Sequence, residues 1–141
     1  MQPLLVPGTL DSLSAIGQYV NAAALAAGLD KKAAYRLRLA VDEIATNIII
    51  HGYEESGISG DVLVLSDMDK DVLTITLEDT SAPFDPRSMG RPDHIDKPVH
   101  ERPIGGLGVY LSIQNVDKFD YEYVNKRNRN IFIVKRAKNN G

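Results

Sequence analysis

From residue 31 to 53 the chain reads KKAAYRLRLAVDEIATNIIIHGY, and Leu37, Val41, Ile44 and Ile48 recur in it at i, i+4, i+7 and i+11. On a period of 3.6 residues those four side chains form one apolar stripe, which predicts a helix over residues 31 to 53. Asp30, immediately before it, offers a carboxylate to the unpaired N–H groups of the first turn. A helix with a single apolar stripe has to bury that stripe against a second layer. The runs DVLVLSD (61 to 67) and DVLTITLED (71 to 79) supply one. They are rich in β-branched and leucine side chains, and the connecting MDK has the length of an antiparallel hairpin turn.

The flanking segments extend both layers. PLLVP (3 to 7) reads as a short first strand, and Thr9 or Asp11 as the cap of an alanine-rich helix from 12 to 27 that Gly28 closes. IGGLGVYLSIQNV (104 to 116) reads as a glycine-rich turn entering a helix, followed by strands at 118 to 124 and 130 to 136. Helices and strands segregate along the chain, so the expected class is α+β, with helices stacked on one face of a mixed, mostly antiparallel sheet. No repeat, low-complexity tract or Pro/Gly/Ser-rich linker divides the 141 residues, and residues 1–141 are expected to form one domain.

Composition narrows the chemistry. The absence of cysteine excludes disulfides, thiolate nucleophiles and Cys-ligated metal centres. A net charge of -3 gives no basic footprint for a nucleic-acid surface. The N-terminus lacks a secretory pattern and no apolar run approaches the roughly 20 residues needed to cross a bilayer. A cytoplasmic protein without nucleic-acid or membrane partners is the expectation.

Three segments carry candidate chemistry. On the long helix Glu43 and Asn47 are one turn apart and project side by side, with His51 a further turn along. Glu43 either reaches water or an arginine such as Arg36 or Arg38, or it serves as a proton acceptor beside a hard cation held by the Asn47 amide oxygen. His51 is read as a helix-end residue bonded to carbonyls, or as part of the site. Asp79 ends an apolar strand, where a carboxylate either closes an Asx turn or accepts a hydrogen bond from an exocyclic amino group. Gly105, Gly106 and Gly108 allow a tight turn whose N–H groups, with Leu107 between them, precede a helix and suit either a plain joint or phosphate oxygens. Between these segments, residues 80 to 102 are polar and aperiodic. Asp93, His94, Asp96, His100 and Glu101 fit no standard metal spacing there, and the stretch reads as a solvated lid.

The order of the three segments resembles the GHKL, or Bergerat-fold, ATP-binding family. The likeness is greatest to its small single-domain branch, the anti-sigma-factor serine/threonine protein kinases of bacterial partner-switching systems. The family's E-x-x-x-N box is matched by Glu43 to Asn47, with His51-Gly52-Tyr53 following. Its D-x-G-x-x-F box is matched by Asp79 to Phe84, and its G-G-x-G box by Gly105 to Gly108. The resemblance implies a two-layer Bergerat sandwich that binds ATP and Mg²⁺. Glu43 would be the general base and Asn47 the Mg²⁺ ligand. Asp79 would read the adenine amino group, Phe84 would line the base pocket, and the backbone from Gly106 to Gly108 would wrap the phosphates. Arg102 would contact the γ-phosphate, or stand as a solvated loop cation. The implied partners are a small STAS-type antagonist protein, a sigma factor and a second copy of the chain.

Two positions depart from the family pattern. Ser81 stands where the family has glycine, adding a Cβ and losing easy access to positive φ. The last strand, where the family often has a threonine in water-mediated contact with adenine, offers Phe132 as its match. Two function classes follow: a kinase phosphorylating a Ser or Thr of the antagonist, favoured by Glu43, and a non-catalytic nucleotide- or partner-binding module, favoured by Ser81.

Overall fold

In a computed structural model, residues 1–88 and 106–136 are described. Five strands, β1 (Leu4–Pro7), β2 (Asp61–Met68), β3 (Val72–Asp79), β4 (Lys118–Val124) and β5 (Arg127–Lys135), form one sheet in the order β1-β2-β3-β5-β4. Each of its four described pairings is antiparallel, in keeping with the mostly antiparallel sheet expected. Helices α1 (Leu13–Ala26), α2 (Lys31–Asn47) and α3 (Gly106–Ile113) complete the second layer.

The predicted stripe does face the core. Leu37, Val41 and Ile44 are almost fully buried, and Ile48 nearly so. They meet Val62 and Val64 of β2, Ile75 and Leu77 of β3 and Phe132 of β5 in one apolar cluster. Burial alternates along β5, as period 2 requires of a strand with one covered face. Its other face carries Arg127 and Arg129 beside Glu78, with the Arg129 Nε donating to Glu78 Oε2 at 3.1 Å.

The local signals differ in how far they held. Asp30 accepts from the Ala33 N–H at 2.8 Å, as an N-cap should. Gly28, at φ 74°, closes α1 while the Leu29 N–H bonds to the Ala24 carbonyl, which is the Schellman arrangement. Thr9 and Asp11 instead bond to each other, and a 3-10 turn (Leu10–Ser12) precedes α1 without a side-chain cap. The β4–β5 turn contains only Asn125 and Lys126, both at positive φ. That two-residue hairpin starts β5 at Arg127 rather than at 130.

The long helix is the main difference. It is α-helical only to Asn47, and Ile48–Glu54 winds as a π-helix. The Glu55 N–H accordingly reaches back five residues to the Ile50 carbonyl, at 2.8 Å. The wider turn carries Tyr53 into the interior, where it is 2% exposed.

Candidate nucleotide-binding site

A cavity of about 480 Å³ opens between α2 with its π-helical extension, the segment after β3, and β5. From the helix come Ile44, Asn47, Ile48, His51 and Gly52, at spacings i, i+3, i+4, i+7 and i+8 that mark one helix face. From the strand ends come Asp79, Ser81 and Phe84, and from β5 Asn128 and Asn130. Val109 of α3 closes one end. The apolar lining with a few convergent polar groups is typical of a small-molecule pocket.

Asp79 is firmly held in the wall. It is 1% exposed, and its Oδ1 accepts from the Ser81 N–H at 3.0 Å, from the Ser81 hydroxyl, and from Asn128 Nδ2 at 3.0 Å. Burying a carboxylate costs several kcal/mol unless donors replace its water, and three donors on one oxygen do so. Among the described residues every hydrogen bond to this carboxylate ends on Oδ1. The Ser81 N–H bond is the Asx turn that one of the two sequence readings of Asp79 expects. One oxygen builds the turn, and the other is free to meet a ligand in the cavity that Asp79 lines.

Ser81 fits without the strain its sequence suggested. The positive-φ residues other than glycine are Asn125 and Lys126 alone among the described residues, so Ser81 does not need the left-handed conformation. Its Cβ has room because Gly52 faces it: a Cβ added at Gly52 would lie 3.0 Å from the Ser81 Cβ and 2.8 Å from its Oγ. Its hydroxyl bonds to Asp79.

Two residues that the sequence did not single out hold this wall in place. The Tyr53 hydroxyl donates to the Asp61 carbonyl at 2.7 Å and accepts from the Thr80 N–H at 2.8 Å, pinning the chain next to Asp79. Its ring lies where side chains at Gly8 and Gly60 would have to go. Burial pushes the tyrosine hydroxyl's pKa up, with the Thr80 hydrogen bonds opposing it. It therefore stays protonated as a donor. Asn128 donates to Asp79 and to the Ser81 and Ala82 carbonyls, and its Oδ1 accepts from the Phe84 N–H at 3.0 Å and from the Tyr121 hydroxyl. One amide thus ties Asp79, Ser81, Ala82 and Phe84 to β5. Tyr53 only follows the Glu43 to Asn47 box, with no role of its own in the sequence reading, and nothing local marked Asn128.

On the helix, Asn47 Nδ2 donates to the Glu43 carbonyl at 2.8 Å. That bond fixes the amide and, among the described residues, leaves Oδ1 as its unengaged end on the cavity-lining side chain. Glu43 is not in the cavity wall. It is half-buried where α2 meets the first turn of α3, and a Cβ added at Gly108 would lie 3.0 Å from its Oε1. Among the described residues the alternative ion pair is also not made, and Arg38 bonds to Asp42 at 3.5 Å. Burial raises the Asp42 carboxyl's pKa against the pull of Arg38. His51 bonds through Nδ1 to Glu55 at 2.8 Å rather than to helix carbonyls, and it lies at the exposed rim. Phe84 lines the cavity but is 46% exposed.

Phe132 does not face the cavity. It is fully buried and packs edge-on to Phe119, with ring centroids 5.2 Å apart. The cavity-lining positions of β5 are Asn128 and Asn130. Gly106 and Leu107 open α3, whereas Arg102, Gly105 and the candidate lid residues Asp93, His94, Asp96, His100 and Glu101 lie outside the described residues.

Comparison with known proteins agrees with this architecture. Residues 6–134 match the family described as histidine kinase-like ATPase domain. Serine-protein kinase RsbW of Bacillus cereus is 35% identical over 78 residues, which cover 53% of this chain and 48% of the relative. Serine-protein kinase RsbW of Bacillus thuringiensis subsp. konkukian is 35% identical over the same shares. The chain thus spans about half the length of the curated relatives it matches. The histidine kinase domain of a blue-light activated histidine kinase from Erythrobacter litoralis aligns with a TM-score of 0.52 at 20% identity. That alignment covers 86% of this chain and 59% of the other, and at such an identity it speaks for the fold.

Proposed function

The chain belongs to the histidine kinase-like ATPase domain family, and from that premise we propose that it binds Mg-ATP in the Asp79 cavity and phosphorylates a Ser or Thr of a small STAS-type antagonist protein. The single observation that carries the ATP reading is Asp79 itself: a buried carboxylate at a cavity wall, with one oxygen saturated by three donors and the other unengaged among the described residues. That free oxygen suits an exocyclic amine, and a cavity of about 480 Å³ suits a purine and its ribose.

The residues present fit the nucleotide and its metal. Asn47 holds its amide by one internal bond and turns an oxygen donor outward, the kind of ligand a hard cation accepts alongside water and phosphate oxygens. When bound, Mg-ATP supplies the transferable phosphoryl group and neutralises its developing charge. Asp79 receives the base amino group, while Ile44, Ile48 and Val109 exclude water from the base faces. The first turn of α3, from Gly106 to Gly108, presents N–H groups to phosphate oxygens. Glu43, beside that turn, accepts the proton released by the attacking hydroxyl. His51 frames the rim, and the phosphate roles that the family resemblance implies for Arg102 and Gly105 are part of the proposal. We place the protein in the cytoplasm as a homodimer that also sequesters a sigma factor, with residues 1–141 acting as one nucleotide-binding unit.

A second reading is favoured by one observation: Glu43 sits against Gly108 rather than in the cavity wall. A carboxylate beside a helix N-terminus stabilises that helix, and the protein would then be a nucleotide-dependent binding module that transfers no phosphate. Mg-ATP titration of the wild type, Glu43→Ala and Asp79→Ala, followed by incubation with candidate antagonists and labelled ATP, separates the two. The kinase reading expects binding to be lost in Asp79→Ala, and transfer but not binding to be lost in Glu43→Ala. A wild type that ignores millimolar ATP sinks both readings.

A further inference from the structure

A second concavity, a groove of about 880 Å³, lies where the end of β1 and the 3-10 turn (Leu10–Ser12) face the π-helical extension and the loop after it. Leu10 and Ile58 line it and are 46% and 45% exposed. Large apolar side chains left open together on a concave surface, rather than scattered singly, mark a place that a partner covers. Asp11, Glu54 and Asp61 also line the groove and are exposed. Among the described residues its lining carries no cation, and none of the three carboxylates makes an ion pair. Like charges gathered around an apolar surface repel one another and attract a cationic occupant.

The groove and the nucleotide cavity share the π-helix as a wall. His51 and Gly52 line the cavity, whereas the next two residues, Tyr53 and Glu54, line the groove. The Tyr53 ring is pressed against Gly8 and Gly60, where an added Cβ would come within 2.4 and 2.6 Å of it. Its hydroxyl accepts at 2.8 Å from the N–H of Thr80, the residue after Asp79. Groove backbone, tyrosine and Asp79 turn are therefore one continuous set of contacts.

We propose that this groove is an effector site, which docks a basic and apolar segment of a partner protein and strengthens nucleotide binding through Tyr53 when it is filled. The coupling rests on the ATP-site reading above, and the docking does not. Apolar side chains of the segment cover Leu10 and Ile58, and its Lys or Arg side chains meet Asp11, Glu54 and Asp61. Covering the groove keeps water from the Tyr53 contacts, which holds Thr80, and with it Asp79, in the binding arrangement. By linkage, nucleotide strengthens docking by the same factor.

The probe is a fluorescently labelled synthetic peptide of alternating Lys and Leu, with Lys/Ser and Glu/Leu peptides as controls, followed by anisotropy. The full chain should bind the Lys/Leu peptide, less tightly as salt is raised, and both controls at least about fivefold more weakly. Glu54→Lys and Ile58→Ser, both at exposed positions, should each weaken docking about fivefold and leave ATP affinity without peptide unchanged. Saturating peptide should tighten Mg-ATP binding about fivefold and slow hydrogen exchange at the Thr80 amide. Tyr53→Phe keeps the ring, so it should dock the peptide but lose most of both effects. Equal binding of the three peptides, indifference to Glu54→Lys and Ile58→Ser, or docking that alters neither ATP affinity nor Thr80 exchange would overturn the proposal. So would self-association of the chain that Glu54→Lys abolishes, because the occupant would then be a second copy. A wild type that docks the peptide and protects Thr80 yet binds no ATP would instead remove the ATP reading and leave the docking site and its link to Thr80 standing, so the two failures are distinguishable.

Discussion

Gly52 and Ser81 should behave as one unit. A methyl group added at Gly52 would sit 2.8 Å from the Ser81 Oγ and 3.0 Å from its Cβ, where carbon contacts are comfortable only from about 3.5 Å outward. The overlap is hard to relieve. Ser81 is 6% exposed and holds Asp79 through both its N–H and its hydroxyl. The backbone of Gly52 is anchored one residue later by buried Tyr53. Overpacking of this kind costs about 1–3 kcal/mol. Ser81→Gly alone should cost roughly 1–2 kcal/mol, from a lost hydrogen bond to Asp79 and a more flexible unfolded chain. If the two changes were independent, the double variant would lose the sum. Because the overlap disappears with the Ser81 side chain, Gly52→Ala with Ser81→Gly should be no less stable than Ser81→Gly alone. That is a coupling of about 1–3 kcal/mol. Urea unfolding of all four proteins, followed by fluorescence of the tyrosines and by circular dichroism, measures it. Additivity to within about 0.5 kcal/mol would refute the contact, and with it the account of why serine is tolerated in this box.

Three further outcomes are expected. Tyr53→Phe removes the hydroxyl that bonds to the Asp61 carbonyl and Thr80 N–H, so it should destabilise by about 1–3 kcal/mol in urea melts and weaken ATP binding in the same protein, since Thr80 adjoins Asp79. Gly108→Ala places a methyl 3.0 Å from the end of the flexible Glu43 side chain. It should displace that carboxylate and cut phosphoryl transfer more than roughly tenfold while moving the melting temperature by only a few degrees; unchanged transfer would deny Glu43 its role. In the β2–β3 turn, the Val72 and then the Asp71 backbone N–H hold the Asp69 carboxyl below its ordinary range. A lowered native pKa gives stability that is present above the ordinary aspartate range and lost as pH falls through the native value. Asp69→Asn keeps an acceptor without a titrating proton, so urea melts between about pH 5 and pH 2.5 should show a flatter acid limb than the wild type.

Much of the fold was legible because it depends on periodicity. The stripe from Leu37 to Ile48, the hairpin of two β-rich runs and the Asp30 and Gly28 caps are short-range patterns, and each appears where the sequence puts it. The misjudged details have in common that a local signal met a longer-range demand. Residues 48 to 54 look α-helical in composition, yet they wind as a π-helix that delivers Tyr53 to the loops around Gly8 and Gly60. Thr9 and Asp11 have capping side chains but satisfy each other. Asn125 and Lys126 make a two-residue turn without the glycine that usually announces one.

For the candidate site, residue types and their order could be read from the chain, and partners could not. Glu43, Asn47 and Asp79 were recognisable because a carboxylate or amide in an apolar element demands an explanation. Asn128 and Asn130 carried no such signal: an asparagine at the start of an edge-adjacent strand reads as a turn residue. Only the pairing of β5 with β3 turns those two inward and sets Asn128 against Asp79. Thus the sequence by itself determined the layers and the side chains available for chemistry, since both follow from local spacing and from the cost of burying charge. The tertiary structure alone decided which side chains share the cavity, that serine fits opposite Gly52, and that Phe132 belongs to the core. Those outcomes depend on strand register and on contacts between residues tens of positions apart, which no window of sequence contains.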